Sequence, residues 1–494
     1  MGLQRHTQGL SIANMPEALH SYDVAIVGAG WAGLSAAITC IEAGKTVVLF
    51  DAAPQGGGRA RHLAVQFSDD LEVDLDNGQH LLIGAYTSCA AMMKKVSAQP
   101  LHRNRLSLQS EAGIFLKSEV LEGMMWKWLD ALLPAMPKRG FSFIKAKGLT
   151  TTDKIAIMSA LARLSVGRKT ACWDGYCQIN ETVDALLARL GQPQTLLQNF
   201  WNPLCIATMN TLPLQADAAT FCRVLRDTFG NPIFEASDFL LPATHLGASF
   251  PEPALTWLQE KGCAIQLRTN VTSIRRASEP QSSIVINELV EAKKLILAIP
   301  PNNARRLLET LSNKAAFESI LSPLASFDYL PIATIYLAWE LAEISEKVPT
   351  IYMLNDLRSS ARPGQWLFNR GVVRTKTKQY ALASVVVSAW DGSVSLEELS
   401  NQVRQQVASI DNLPLPKADL AKAIVDKKAT LACTPDRPKL YGDYLQTQGS
   451  KQTVGKPFDG IFLAGDYCYP LYPATLEGAV RSGEISANML LQSL

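Results

Sequence analysis

The chain has 494 residues, enough for about two to four domains, and is 47% hydrophobic against 19% charged, which excludes a disordered or low-complexity protein. Lys plus Arg number 47 and Asp plus Glu 45, so a net charge of +2 gives no electrostatic reason to expect a nucleic-acid partner. Nine scattered cysteines and six histidines without HxxxH, HExxH or CxxC spacing point to reduced thiols in a cytoplasmic protein, and no metal site is expected from spacing.

No apolar run reaches the roughly 18 residues of a spanning helix, and residues 1–22 hold no signal-peptide core, so they read as an irregular lead-in. From Asp23 the chain runs DVAIVGAGWAGLSAAITCIEAGKTVVLFD. Residues 24–27 are strand-like. Residues 32–43 form a helical stretch that Gly44 ends, and 46–50 form a second strand closed by Asp51. Gly28, Gly30 and Gly33 between first strand and helix give GxGxxG. Gly28 permits the tight turn, Gly30 lets the backbone approach a pyrophosphate, and Gly33 lets helix and strand pack closely. Trp31 and Ala32 open the helix, whose free N–H groups suit phosphate charge; the Trp31 side chain itself reads as packing. Asp51 is placed to accept hydrogen bonds from the ribose of an adenosine, and this strand–turn–helix–strand context makes a common motif specific.

Gly56-Gly57-Gly58-Arg59-Ala60-Arg61 follows, a second glycine turn that a simple NAD domain does not need. It reads as a backbone turn at the dinucleotide with a guanidinium on its phosphates, or as an exposed loop with two solvated arginines. Further on, Leu121, Met124, Met125, Trp128, Leu129, Leu132 and Met136 share one helical face, Pro134 and Pro137 end the pattern, and Lys138 and Arg139 follow. The stretch at 120–137 is either an interfacial helix on an anionic membrane surface or a helix burying that stripe in its own domain. Ile155, Met158, Leu161 and Leu164 form a similar stripe and read as core. Residues 333–339 and 380–390 have strand composition.

The glycine turns, the acid and the GGR segment resemble the FAD-dependent amine oxidase and phytoene desaturase superfamily. So does the C-terminal Asp459-Gly-Ile-Phe-Leu-Ala-Gly465-Asp466, followed by Tyr472-Pro-Ala-Thr475-Leu476-Glu477-Gly478. The resemblance implies that FAD is the cofactor and that the fold is α/β. A discontinuous Rossmann-like FAD-binding domain of glutathione-reductase type would comprise 20–95, 240–310 and 456–494, with an interleaved, amine-oxidase-like α+β substrate domain at 96–239 and 311–455. That substrate domain would take helices from the first gap and strands from the second. The resemblance further implies that Gly465 and Asp466 meet the pyrophosphate and ribityl chain. The helix from Thr475 would present Leu476 to the pyrimidine edge of the flavin, and Val271, in the segment 263–271, would meet the adenine.

A narrower resemblance rests on Asp76-Asn77-Gly78-Gln79-His80-Leu81-Leu82-Ile83-Gly84-Ala85-Tyr86 and on Pro203-Leu-Cys-Ile-Ala-Thr-Met-Asn210-Thr211. Both segments look like signatures of the hydroxysqualene dehydroxylases of squalene and hopanoid biosynthesis. The departures are small, Asp51 where Glu is commoner among them. Residues 311–455 match only loosely. The implied substrate is hydroxysqualene or a similar apolar isoprenoid, reached from a membrane surface, so the protein is expected to be cytoplasmic and peripheral on the inner face of the membrane. No second nucleotide motif is visible, so the electron donor for FAD is expected outside this chain.

Loss of hydroxide needs a proton donor or strong hydrogen bonds to the departing oxygen. His80, whose ordinary pKa suits protonation near neutrality, is the first candidate, either as acid or as a residue that holds the flavin in place. Gly78 and Gln79 are expected at the flavin, with Gln79 also within reach of the substrate hydroxyl, while Asp76 and Asn77 fix the loop. Tyr469, with Tyr467 and Tyr472, either lines the substrate path or packs in the core with its hydroxyl satisfied. Competing functions are a carotenoid-type desaturase and, in another class, an isoprenoid-binding protein with structural FAD.

Overall fold

The computed structural model describes residues 19–117, 140–166, 173–230, 234–277, 283–312, 317–438, 440 and 460–494. The stripe at 120–137 therefore lies outside the described residues. Among the described residues, no helix is long and apolar enough to cross a membrane.

Two seven-stranded sheets organise the chain. In the first, His20–Val27 pairs in parallel with Val47–Phe50 on one side and Val290–Leu297 on the other, and Ala264–Gln266 extends the Val47–Phe50 side. Val290–Leu297 is shared along its length. Val290 to Ala292 pair antiparallel with Ile284–Ile286, whereas Leu295 to Leu297 pair in parallel with Ile461–Leu463. In chain order the parallel strands therefore lie 3-2-1-4-5, a doubly wound arrangement that puts every strand's C-terminal end on one edge. The sequence explains the placement: Val47–Phe50 reads VVLF and is buried throughout, as a parallel strand covered on both faces must be. Trp31–Glu42 and Leu476–Gln492 cover one face together through Leu34, Ile38, Val480, Ala487 and Leu490, so the two ends of the chain close one core.

The second sheet runs Leu420–Leu431, Tyr329–Trp339, Gln379–Ser388, Trp366–Arg374 and Ile351–Met353, all antiparallel. The strand Tyr329–Trp339, next to the edge strand Leu420–Leu431, sends alternate residues to opposite faces with the period of two that a strand imposes. Ala333, Ile335, Leu337 and Trp339 pack with Leu399, Val403 and Val407 of the helix Leu396–Ala408. Tyr336 and Ala338 face the hairpin His62–Ser68 and Leu71–Asp76 through Val65, Leu71 and Leu75. That hairpin joins the two sheets, because it begins at the GGR turn and ends at Asp76.

Two expectations need correction. The first gap supplies strands as well as helices: Ser107–Ser110 joins the second sheet in parallel with Ile351–Met353, and Phe115–Lys117 adds to its edge. In the helix Thr151–Val166, Ile155 is 64% exposed, while Ile157, Leu161 and Leu164 are buried. The buried stripe starts two residues later than the spacing suggested, because 157, 161 and 164 follow the 3.6-residue turn onto the face that meets the core.

Candidate functional site

The site begins at the C-terminal edge of the first sheet. Gly28 has φ +108°, donates to Phe50 O at 2.7 Å, and leaves no room for a side chain: a Cβ there would stand 2.2 Å from Ala298 O. A Cβ on Gly33 would stand 1.8 Å from Gly28 O, so the helix reaches the strand only because residue 33 is glycine. Gly30 differs, since the nearest atom to a Cβ there is Gly58 Cα at 4.0 Å. Gly30 and Gly57 form an isolated bridge, Gly57 N–H donates to Ala29 O at 2.8 Å, and Trp31 Nε1 donates to Ala60 O at 3.2 Å. The two glycine turns are thus sewn into one cradle, with the Trp31 ring buried against Phe250 beneath it.

The cradle fits a dinucleotide on its own chemistry. Gly30 gives the helix no side-chain cap, and the first turn, which holds Trp31 and Ala32, has no acid, so its orphan N–H groups and positive dipole end face the glycine bridge. Asp51 accepts from Ala29 N at 2.6 Å through Oδ2 and from Ala53 N at 2.7 Å through Oδ1. Each oxygen keeps lone-pair capacity for a ribose hydroxyl. Thr269 N donates to Asp51 O and Arg268 N to Ala53 O, which draws the segment leading to Val271 alongside; Val271 is buried in one cluster with Phe50.

The last segment meets this cradle from the other side. Gly465 N donates to Ser482 Oγ at 2.8 Å, and buried Asp466 pairs with Arg59 at 2.6 Å. Arg59 also donates to Ala429 O and lies 5.5 Å from the Tyr329 ring centroid. Its charge is therefore shared with a carboxylate rather than solvated, while Arg61 donates to Gly58 O. Thr475 caps the helix Leu476–Gln492 by accepting from Gly478 N at 2.9 Å, leaving the amides at Leu476 at its positive end. Glu477, next in line, accepts from Ser88 N and Cys89 N at 3.0 Å each, and so caps the helix Thr87–Lys95 from a distant part of the chain.

The Asp76–His80 loop lies between the GGR turn and the second sheet. Asp76 is fully buried. Its Oδ1 accepts from Leu246 N at 2.6 Å, its Oδ2 pairs with Arg370 at 3.2 Å, and its carbonyl takes the Tyr336 hydroxyl at 2.7 Å. Asn77 donates to Arg59 O and to Asp426. Gly78 sits beside Thr334. Gln79 Oε1 accepts from Ser384 Oγ at 2.9 Å and from Arg370 at 3.4 Å. Burial lowers the His80 pKa from its ordinary value, with Asp76 and the Arg59 backbone opposing only in part. That direction favours the neutral ring, whereas the ordinary pKa pointed to a ring protonated near neutrality. Two buried hydroxyls on one strand, Tyr329 and Thr334, have no hydrogen-bond partner among the described residues. Polar groups orphaned at such a junction suit a polar ligand that completes them.

Tyr469 and Tyr472 stack with centroids 5.7 Å apart, and the Arg481 guanidinium lies 5.8 and 5.6 Å from the two centroids. Arg481 pairs with Glu477 at 2.8 Å and donates to the Tyr469 hydroxyl at 3.3 Å. These rings already serve one cation. Tyr467 donates to Ile299 O. Behind the stack, Arg223 donates to Leu471 O at 2.9 Å and Arg437 to Pro470 O at 3.2 Å, and Asp217 holds Arg437 at 3.0 Å. Asn210 of the second signature, in left-handed conformation, accepts from Ala389 N and donates to Thr430 Oγ1 at 2.8 Å each; it staples the helix Asn202–Met209 to the second sheet.

Sequence reasoning did not find Arg370 or Ser384, which lie in the part of the chain with no motif. It also missed the Arg59–Asp466 pairing, although it named both residues.

A doubly wound sheet with two glycine turns, an acid and a C-terminal Gly-Asp returning to the same edge defines an FAD-dependent oxidoreductase. Residues 31–491 match the family of flavin-containing amine oxidoreductases, and the chain belongs to it. It is 24% identical to the hydroxysqualene dehydroxylase of Zymomonas mobilis, over 94% of this chain and 98% of that one. It is also 24% identical to that of Sinorhizobium fredii, over 97% and 99%. A probable zeta-carotene desaturase of Synechococcus elongatus matches at 24% over 95% and 98%. Among solved structures, cyclohexylamine oxidase from Brevibacterium oxydans superposes with TM-score 0.62 at 13% identity, over 96% of this chain and 99% of that one, which speaks for the fold alone.

Proposed function

We propose that the protein is a hydroxysqualene dehydroxylase that removes the hydroxyl of an allylic C30 alcohol to give squalene. The observation that carries this reading is the Gln79–His80 segment, pinned between the GGR turn and the second sheet in a chain similar along nearly its whole length to hydroxysqualene dehydroxylases. The cofactor these residues would hold would, in its reduced form, supply a hydride in exchange for the hydroxyl at carbon, with a proton from solvent completing the departing water. The first-sheet cradle and Asp51 bind the dinucleotide, and the helix end at Leu476 favours negative charge on the flavin. Gln79 has its carbonyl oxygen taken by Ser384 and one amide N–H placed on His80 O at 3.3 Å, so its second amide N–H is the one proposed for the substrate hydroxyl. Neutral His80 donates a hydrogen bond to the departing oxygen without adding a fixed positive charge beside a developing allylic cation. An apolar C30 substrate calls for access from a membrane surface, and the stripe at 120–137 is the segment proposed to meet it.

The similarity to a zeta-carotene desaturase supports a second reading, polyene desaturation by the oxidised flavin. One anaerobic experiment separates the two. The purified holoprotein is reduced, hydroxysqualene is added, and the flavin spectrum and extracted lipid are followed together. Flavin reoxidation with stoichiometric squalene is the expected result. A flavin that stays reduced with the alcohol intact would reject the proposal and favour the desaturase.

A further inference from the structure

Three ligand-bearing side chains outside the flavin site converge on one point. Glu252 Oε1 lies 2.9 Å from His62 Nδ1 and 3.8 Å from His245 Nδ1, and the two imidazole centroids are 4.4 Å apart. Their meeting point is kept open by Gly247: a Cβ there would stand 2.7 Å from Glu252 Oε1, 2.9 Å from His62 Nδ1 and 3.0 Å from His245 Nδ1. Donor atoms from all three residues lie within 4.8 Å of one another, the one such group of three among the described residues. We propose that His62, His245 and Glu252 form a binding site for a divalent transition-metal ion.

The chemistry follows from the donors. Two imidazoles and one carboxylate suit Zn²⁺ and its neighbours rather than Mg²⁺ or Ca²⁺, which prefer all-oxygen sites. Bonds of about 2.0–2.1 Å in a tetrahedron set ligand atoms about 3.4 Å apart, and the observed 2.9 and 3.8 Å bracket that spacing. Glu252 is half-exposed, so the fourth position opens to solvent. Without metal, His62 Nδ1 and Glu252 Oε1 stay in direct contact at 2.9 Å, and His245 Nδ1 accepts a 3.2 Å bond from Ala248 N that a metal bond would replace.

The site ties together parts of the chain that the flavin loop depends on. His62 opens the strand after the GGR turn and pairs across the hairpin with Asp76. His245 follows Thr244, whose carbonyl receives Arg370, and precedes Leu246, whose N–H holds Asp76. A bound ion would clip the strand that follows the GGR turn to the 245–252 segment, which through Leu246 holds Asp76 at the base of the loop carrying Gln79 and His80. This holds whichever isoprenoid the flavin site takes.

The test uses the holoprotein with FAD retained. After treatment with EDTA and its removal, Zn²⁺ is titrated calorimetrically into wild type, His62→Gln and Glu252→Gln, with flavin absorbance as the check on folding. One Zn²⁺ per chain in wild type, with at least a tenfold loss of affinity in each variant, is expected. In parallel, wild type is treated with diethyl pyrocarbonate with and without Zn²⁺, and modified histidines are located by peptide mass spectrometry, a readout that needs no variant. Protection of His62 and His245 is expected. No saturable binding, unchanged affinity in folded variants, or equal modification of both histidines with and without Zn²⁺ would overturn the proposal.

Discussion

Arg370→Met is the substitution whose cost the structure defines most sharply. The Arg370 side chain is 8% exposed and that of Asp76 is 0%, with 3.2 Å between Nη2 and Oδ2. Methionine keeps much of the stem's volume but removes the charge. Asp76 then stays buried with one strong N–H partner, Leu246, and Thr244 O loses its 3.1 Å donor. Removing one partner of a buried pair costs about 3–5 kcal/mol, because the remaining charge is stranded in a poorly polarisable interior. With a urea slope of about 3 kcal/mol/M, the midpoint for flavin release, read by FAD fluorescence, should fall by about 1 M or more. The double variant Arg370→Met/Asp76→Asn buries no unpaired charge and should recover part of the loss, the non-additivity expected of residues in contact. A loss of about 1 kcal/mol or less, the size of an exposed pair, or strict additivity in the double variant, would refute the reasoning.

Other outcomes follow from the same site. His80→Ala should retain FAD and lower turnover by about a hundredfold or more, the scale of a lost proton-handling group; unchanged turnover would remove His80 from the mechanism. Because burial lowers the His80 pKa, the neutral ring persists below its ordinary range, so turnover should be flat from pH 8 to about 6.5 and fall only on the acid side. Decline as pH rises through 6.5 would instead mark a cationic acid. Gly33→Ala places a Cβ 1.8 Å from Gly28 O and should yield protein with little bound FAD, measured as the ratio of absorbance at about 450 and 280 nm. Asp217 tests pH-dependent stability. Burial acts to raise its carboxyl pKa, but Arg437, with the Thr220 hydroxyl and Arg223, more than offsets this and holds it below the ordinary value. Its contribution is therefore present above about pH 3.9 and lost as pH falls through the folded value, so Asp217→Asn should flatten the acid limb of an unfolding titration followed by circular dichroism.

Much of the first sheet was legible in the sequence because its signals are local. A glycine with φ +108°, an apolar strand buried on both faces and a helix ended by Gly44 are properties of neighbouring residues, and the helix Trp31–Glu42 falls within a residue of the stretch at 32–43. The return of the C-terminal Gly-Asp segment to the FAD domain was implied by the family resemblance, and Ile461–Leu463 joins the opening strand's sheet through Val290–Leu297. Phase was less secure: Ile155 and Ile157 are both apolar and two residues apart, and only packing against the core decides which one is buried.

Sequence by itself determined the cofactor class and located the two glycine turns and Asp51, because a pyrophosphate, a tight turn and a strand–helix contact each demand particular residues at fixed short spacing. Tertiary structure alone decided the partners. Arg59 meets Asp466 across 407 positions, Arg370 reaches Asp76 across 294, and Glu477 caps a helix 388 positions away at Cys89. Ionic and cap interactions depend on distance in space and carry no periodicity along the chain. The same is true of His62, His245 and Glu252, which meet only because two segments far apart in sequence fold over Gly247.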